Sequence, residues 1–128
     1  MAGGAVTWSS KRQATVALSM VEAEYVAMSQ CAQQMVWTQT WLDEVEITHT
    51  MPGVIKGDSR GAIALAKTTK DHGKVKHIDI RHHYLRELVK SESIIFEQIP
   101  SGENLADLFT KPLAREHHHQ FLAGLNIR

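Results

Sequence analysis

The chain has 128 residues, as many Lys plus Arg as Asp plus Glu, and a single cysteine. That length suits one domain with a true core, burying about two thirds of its unfolded surface, and zero net charge gives no overall basic field with which to attract nucleic acid. Cys31 alone excludes an intrachain disulfide and fits a reducing compartment, and no window approaches about 18 uninterrupted apolar residues, so no membrane-spanning helix is expected. The opening Met-Ala-Gly-Gly-Ala-Val lacks the basic and apolar regions of a signal peptide. The expectation is one intracellular domain over residues 1–128, cytoplasmic or nuclear, with no membrane partner.

In chain order, Ala5 to Ser10 reads as a short strand after a Gly-Gly start, and Lys11 to Leu18 as loop. A helix follows. Ser19 as N-cap with Glu22 three residues on forms a capping box, and Val21, Tyr25, Met28, Ala32, Met35 and Leu42 make one apolar stripe at helical spacing to about Glu46. His49 to Gly53 is a turn broken by Pro52 and Gly53. Val54 to Gly57 is a brief strand stopping at Asp58, and Ser59 to Ala66 a helix of small residues. Thr68 to Lys76 is polar loop. His77 to Lys90 is a second long helix with Ile80, Tyr84, Leu85 and Leu88 inward. Ile94 to Ile99 is a strand ended by Pro100-Ser101-Gly102. Asn104 to Thr110 is a short helix stopped at Lys111-Pro112, and Arg115 to Leu122 a last helical stretch. The alternation of strands and helices is an α/β pattern.

Charge is uneven along this order. Between Lys56 and Lys90 there are nine Lys or Arg residues against four acids. The stretch Lys67 to Arg86 either tracks phosphates or is a solvated loop and helix face.

The acidic residues are the candidates for chemistry, and none precedes Glu22. Glu22 has a sufficient structural task in the capping box. Glu24 lies at the border of the apolar stripe, where a carboxylate wants a cation or metal to offset desolvation; the alternative is a half-exposed, solvated border residue. Asp58 ends an apolar strand and opens a helix, the place where α/β sheets put their chemistry, or else it is an N-cap. Asp107 stands three residues after Asn104, where a first-turn acid also serves the helix dipole.

The eight histidines include adjacent pairs and triplets that do not share a helix face, without cysteines to assist, which points to surface or packing roles rather than zinc. Cys31 near the apolar stripe reads as core rather than nucleophile. Trp8, Trp37 and Trp41 are stacking candidates for bases, though two on one helix read as packing.

Five ordered stretches resemble the ribonuclease H domain at the end of copia-type retrotransposon polyproteins. They are Gly-Gly-Ala-Val-Thr-Trp-Ser-Ser-Lys-Arg-Gln (3–13), Val-Ala-Leu-Ser-Met-Val-Glu-Ala-Glu-Tyr-Val-Ala (16–27), Asp-Ser-Arg-Gly-Ala-Ile-Ala-Leu-Ala-Lys (58–67), Lys-His-Ile-Asp-Ile-Arg-His-His (76–83) and Asn-Leu-Ala-Asp-Leu-Phe-Thr-Lys-Pro-Leu (104–113). The tail Arg-Glu-His-His-His-Gln-Phe is similar to the family's last helix. The resemblance implies a mixed sheet flanked by helices and hydrolysis of the RNA strand of RNA–DNA hybrids, with divalent Mg²⁺ or Mn²⁺ between carboxylates. It casts Glu24 as the helix carboxylate, Asp58 as the strand-end ligand and Asp107 as the C-terminal ligand, with Glu22 a weaker candidate.

The family also has two strands ahead of the Gly-Gly-Ala-Val strand, the first carrying a metal-bridging Asp. Against that pattern the chain is expected to be a truncated ribonuclease H-like fold. Its sheet would be completed or rearranged by dimerisation, and its activity weak or lost. The rival expectation is a catalytically inactive module, binding nucleic acid or protein as a homodimer.

Overall fold

A computed structural model describes residues 3–14, 16–68 and 76–127, with 76–82 described by backbone alone. The elements are α1 (Met20–Glu44), β1 (Gly53–Gly57), α2 (Arg60–Lys67), α3 (Lys76–Lys90), β2 (Ile94–Gln98) and α4 (Arg115–Gly124), with 3₁₀ turns at Ser101–Glu103 and Leu105–Phe109 between β2 and α4. The chain divides into two compact units, Ala17–Ile99 and Met1–Val16 with Pro100–Arg128.

In the Ala17–Ile99 unit, β1 and β2 form a parallel pair, with Gly53 opposite Ile94 and Gly57 opposite Gln98. Parallel neighbours need a long crossover, which α2 and α3 provide. Period-2 alternation puts Ile55, Ile94 and Phe96 in the core while Val54, Lys56, Ile95 and Glu97 are exposed. Three helices meet the buried strand residues: Tyr25, Met28 and Ala32 from α1, Ala62, Ile63 and Ala66 from α2, and Leu85 from α3. The small side chains of α2 permit close approach. A Cβ on Gly61 would lie 2.9 Å from a methyl of Val21, so the first turn of α2 rests directly on the first turn of α1.

Local signals set the helix starts. Ser19 accepts from the Glu22 N–H at 3.1 Å, and the Glu22 carboxylate accepts from the Leu18 N–H at 2.7 Å. The Glu22 N–H is an orphan donor of the first turn, and satisfying it is worth about 1 kcal/mol. Ser59, not Asp58, caps α2, accepting from the Ala62 N–H at 3.3 Å; Asp58 is thereby released from the structural task the sequence offered it.

In the other unit, Phe121 of α4 is buried. A Cβ on Gly124 would lie 2.9 Å from Leu105, which seats α4 against the second 3₁₀ turn. The N-terminal segment joins through Ala5 N–H to Leu125 O at 3.1 Å and Ser10 Oγ to Phe109 O at 2.9 Å.

Several sequence expectations are corrected. Ala5 to Ser10 forms no strand: alternation alone does not make one without a ladder partner, and the hydrogen bonds just named run to a helix end and a turn. The expected mixed sheet is, among the described residues, a parallel pair. Asn104 to Thr110 winds as 3₁₀ rather than α, with Asn104 capping at the Ala106 N–H. Val21 is exposed despite its place in the stripe, and so are Trp37 and Trp41, which therefore do not pack in the core. Cys31 is exposed as well. The polar loop falls on 69–75 and the inward Ile80 on 76–82, outside the described residues or side chains.

Candidate functional site

The three candidate carboxylates fall in both units. Glu24 and Asp58 belong to the Ala17–Ile99 unit, and Asp107 to the other.

Asp58 follows β1 directly and precedes the Ser59 cap of α2, so it stands at the carboxyl end of a parallel strand. It is half-buried. Glu24 is exposed on α1, one turn beyond Val21. At about 100° per residue the two lie some 60° apart around the helix axis. The Val21–Gly61 contact thus places the helix bearing Glu24 beside the turn bearing Asp58. Glu22 keeps its capping role, as the bond to Leu18 N–H demonstrates.

Asp107 is buried at 9% exposure. Its Oδ2 accepts from Lys111 Nζ at 2.9 Å, one turn along, and its carbonyl accepts from the Thr110 and Lys111 N–H groups. A carboxylate taken out of water needs such a cation, and Lys111 supplies it from a half-exposed position. One ammonium does not exhaust the acceptor capacity of a carboxylate, which has about four lone-pair directions.

An all-oxygen set of carboxylates suits a hard cation such as Mg²⁺ or Mn²⁺. Among the described residues no three His, Cys, Asp or Glu side chains gather as a metal-holding group. Glu24 and Asp58 belong to one unit, and one or two carboxylates are the usual protein ligands of Mg²⁺.

Other candidates resolve into structure. His117 stacks on Phe121, with ring centroids 6.3 Å apart, and His118 meets His119 edge to face. Although Cys31 is exposed as a residue, desolvation of its sulfur raises the thiol pKa, away from the thiolate a nucleophile needs. His77 and His82 lie where side chains are not described, as does part of the basic stretch Lys67 to Arg86. Sequence reasoning missed Lys111 as the partner of Asp107. The i, i+4 spacing was the signal for it, read only as a helix stop because Pro112 follows.

Over nearly its whole length the chain is similar to plant retrotransposon polyproteins, and over 35 residues, 27% of the chain, it is 57% identical to Secreted RxLR effector protein 161 of Plasmopara viticola. The chain is 42% identical over 113 residues to the Retrovirus-related Pol polyprotein from transposon TNT 1-94 of Nicotiana tabacum, covering 88% of this chain and 8% of that protein. It is 34% identical over 122 residues to the Pol polyproteins from transposons RE1 and RE2 of Arabidopsis thaliana, covering 95% of this chain and 8% of each. These three relatives are copia-type retrotransposon Pol polyproteins, which supports a retrotransposon-derived region, and the chain spans a small fraction of their length. No protein-family model and no solved structure matches it. Among the described residues no helix is long and apolar enough to cross a membrane.

Proposed function

We propose that the chain is a ribonuclease H-like region whose ancestral reaction is metal-dependent hydrolysis of the RNA strand in RNA–DNA hybrids. The observation that carries this reading is Asp58 at the carboxyl end of β1, beside the α1 turn that bears Glu24, in a chain whose homologues are Pol polyproteins. Glu24, Asp58 and Asp107 would hold Mg²⁺ or Mn²⁺. When bound, the ion activates water and stabilises charge on the leaving oxygen. Asp58 is held by strand and cap, Glu24 by the capped first turns of α1, and Asp107 by its ion pair with Lys111.

The test is cleavage of a labelled RNA–DNA hybrid with Mg²⁺ or Mn²⁺, beside an Asp58→Asn control. Cleavage abolished by the substitution supports the reading. A folded protein that cuts nothing at high concentration sinks it.

A second reading is a catalytically inactive module that binds nucleic acid or protein as a homodimer. It is favoured by the sheet: among the described residues β1 and β2 form a pair and nothing more, with Val54 and Ile95 exposed side by side on its outer face, and two strands alone are marginal in water. Pairing strand edges between copies would enlarge it. Hybrid binding without cleavage, by a particle of two chains in light scattering, is the outcome this reading expects.

A further inference from the structure

The second half of α1 carries a surface that neither reading uses. Trp37 is 63% exposed, Trp41 46%, Val45 44% and Ile47 42%. Trp37, Trp41 and Val45 recur every four residues and form one ridge. Exposed tryptophans so grouped mark interaction surfaces rather than ordinary solvated positions.

The charge around the ridge is one-sided. Asp43, Glu44 and Glu46 interleave with it along the chain and are all exposed, and no Lys or Arg occurs from residue 13 to residue 55. Asp43 stands apart from the ridge, about 120° around the helix from Trp37, and its carboxylate lies 3.6 Å from His49 Nδ1.

We propose that this ridge docks a basic amphipathic helix of a partner protein, with apolar side chains on Trp37 and Trp41 and basic side chains beside the Glu44 and Glu46 carboxylates. Nucleic acid is disfavoured because its phosphates would meet Glu44 and Glu46 with no cation on α1 to offset them. A second copy of the same face is disfavoured because it brings a second acidic helix. The inference does not rest on the nuclease reading, since the ridge lies at the opposite end of α1 from Glu24.

The full chain with Trp8→Phe, which confines the indole signal to Trp37 and Trp41, is titrated with a synthetic Leu–Lys amphipathic peptide of about 18 residues. A scrambled peptide of the same composition and a Leu–Glu counterpart run beside it. The expected result is saturable binding of the amphipathic basic peptide alone, weakened by added salt. Trp37→Ser with Trp41→Ser should weaken it roughly tenfold or more. The charge variant Glu44→Gln with Glu46→Gln should weaken it while leaving the apolar ridge in place. All these side chains are exposed, so thermal melting should be unchanged and serves as the folding control. Binding indifferent to both variants, or equal for the scrambled peptide, overturns the proposal. So does an RNA–DNA hybrid that perturbs the same indoles, or self-association lost on Trp37→Ser.

Discussion

At the level of single residues, environment separates acids that look alike in the sequence. Glu22 and Glu24 stand two positions apart, yet one is half-buried and committed to the Leu18 N–H while the other is exposed. Asp107 is the most consequential, because a buried carboxylate is tolerable only with its cation. Lys111→Met should destabilise the metal-free protein by about 1 kcal/mol, since the lysine is half-exposed and partly screened. If Asp107 is a metal ligand, Mg²⁺ or Mn²⁺ should then raise the melting temperature of Lys111→Met more than that of the wild type. Equal increments in the two proteins would remove Asp107 from the ligand set. Tyr25 provides a pH probe of the core. Burial pushes its phenol up to about 12, against a smaller opposing pull from Arg86. Because the folded-state pKa is raised, its contribution to stability is fully present below the ordinary value near 10 and is lost as pH rises from there to about 12. Ultraviolet titration of phenolate should place Tyr25 above free tyrosine, and denaturant melts should weaken across that same interval.

At the level of elements, the start of α1 and the start of α2 depend on each other. Both carry serine caps, Ser19 and Ser59, and both first turns meet through Val21 and Gly61. Gly61→Val should force a branched side chain into Val21 and cost about 1–3 kcal/mol by overpacking. Adding Val21→Ala should return most of that loss, which a double-mutant cycle in urea denaturation reads directly. If the losses simply add, the two turns are not in the contact described, and the placement of the α1 turn bearing Glu24 beside Asp58 goes with it. α2 tolerates this intimacy because Ala62 and Ala66 also present little bulk.

At the level of the whole molecule, each compact unit has its own buried residues. In the Ala17–Ile99 unit, Leu85 carries α3 onto the strands and is fully buried. Leu85→Ala should cost about 2–5 kcal/mol, the range for a buried leucine whose cavity collapses only in part. A loss well below that in urea denaturation would mean that α3 is not seated as described. The outer face of the sheet is different in kind, since Val54 and Ile95 gain nothing from helices on the inner face and are available to whatever next pairs with or covers the strands.

The sequence by itself determined what depends on neighbours along the chain. The span of α1 and its capping box, the two strands, the two breakers at Pro52 and Gly53, and Leu85 as an inward residue all follow from spacing within a few residues. Asp58 and Glu24 were likewise legible as candidates, because strand ends and stripe borders are local patterns. What only the tertiary structure decided is what those patterns meet. Residues 5–10 alternate like a strand but find no ladder. Trp37 and Trp41 sit at helical spacing, yet on the side of α1 that no core covers. Asp107 becomes a buried acid with Lys111 on its Oδ2. Periodicity states which residues share a face, while exposure and pairing depend on what lies opposite, and that information belongs to segments distant along the chain.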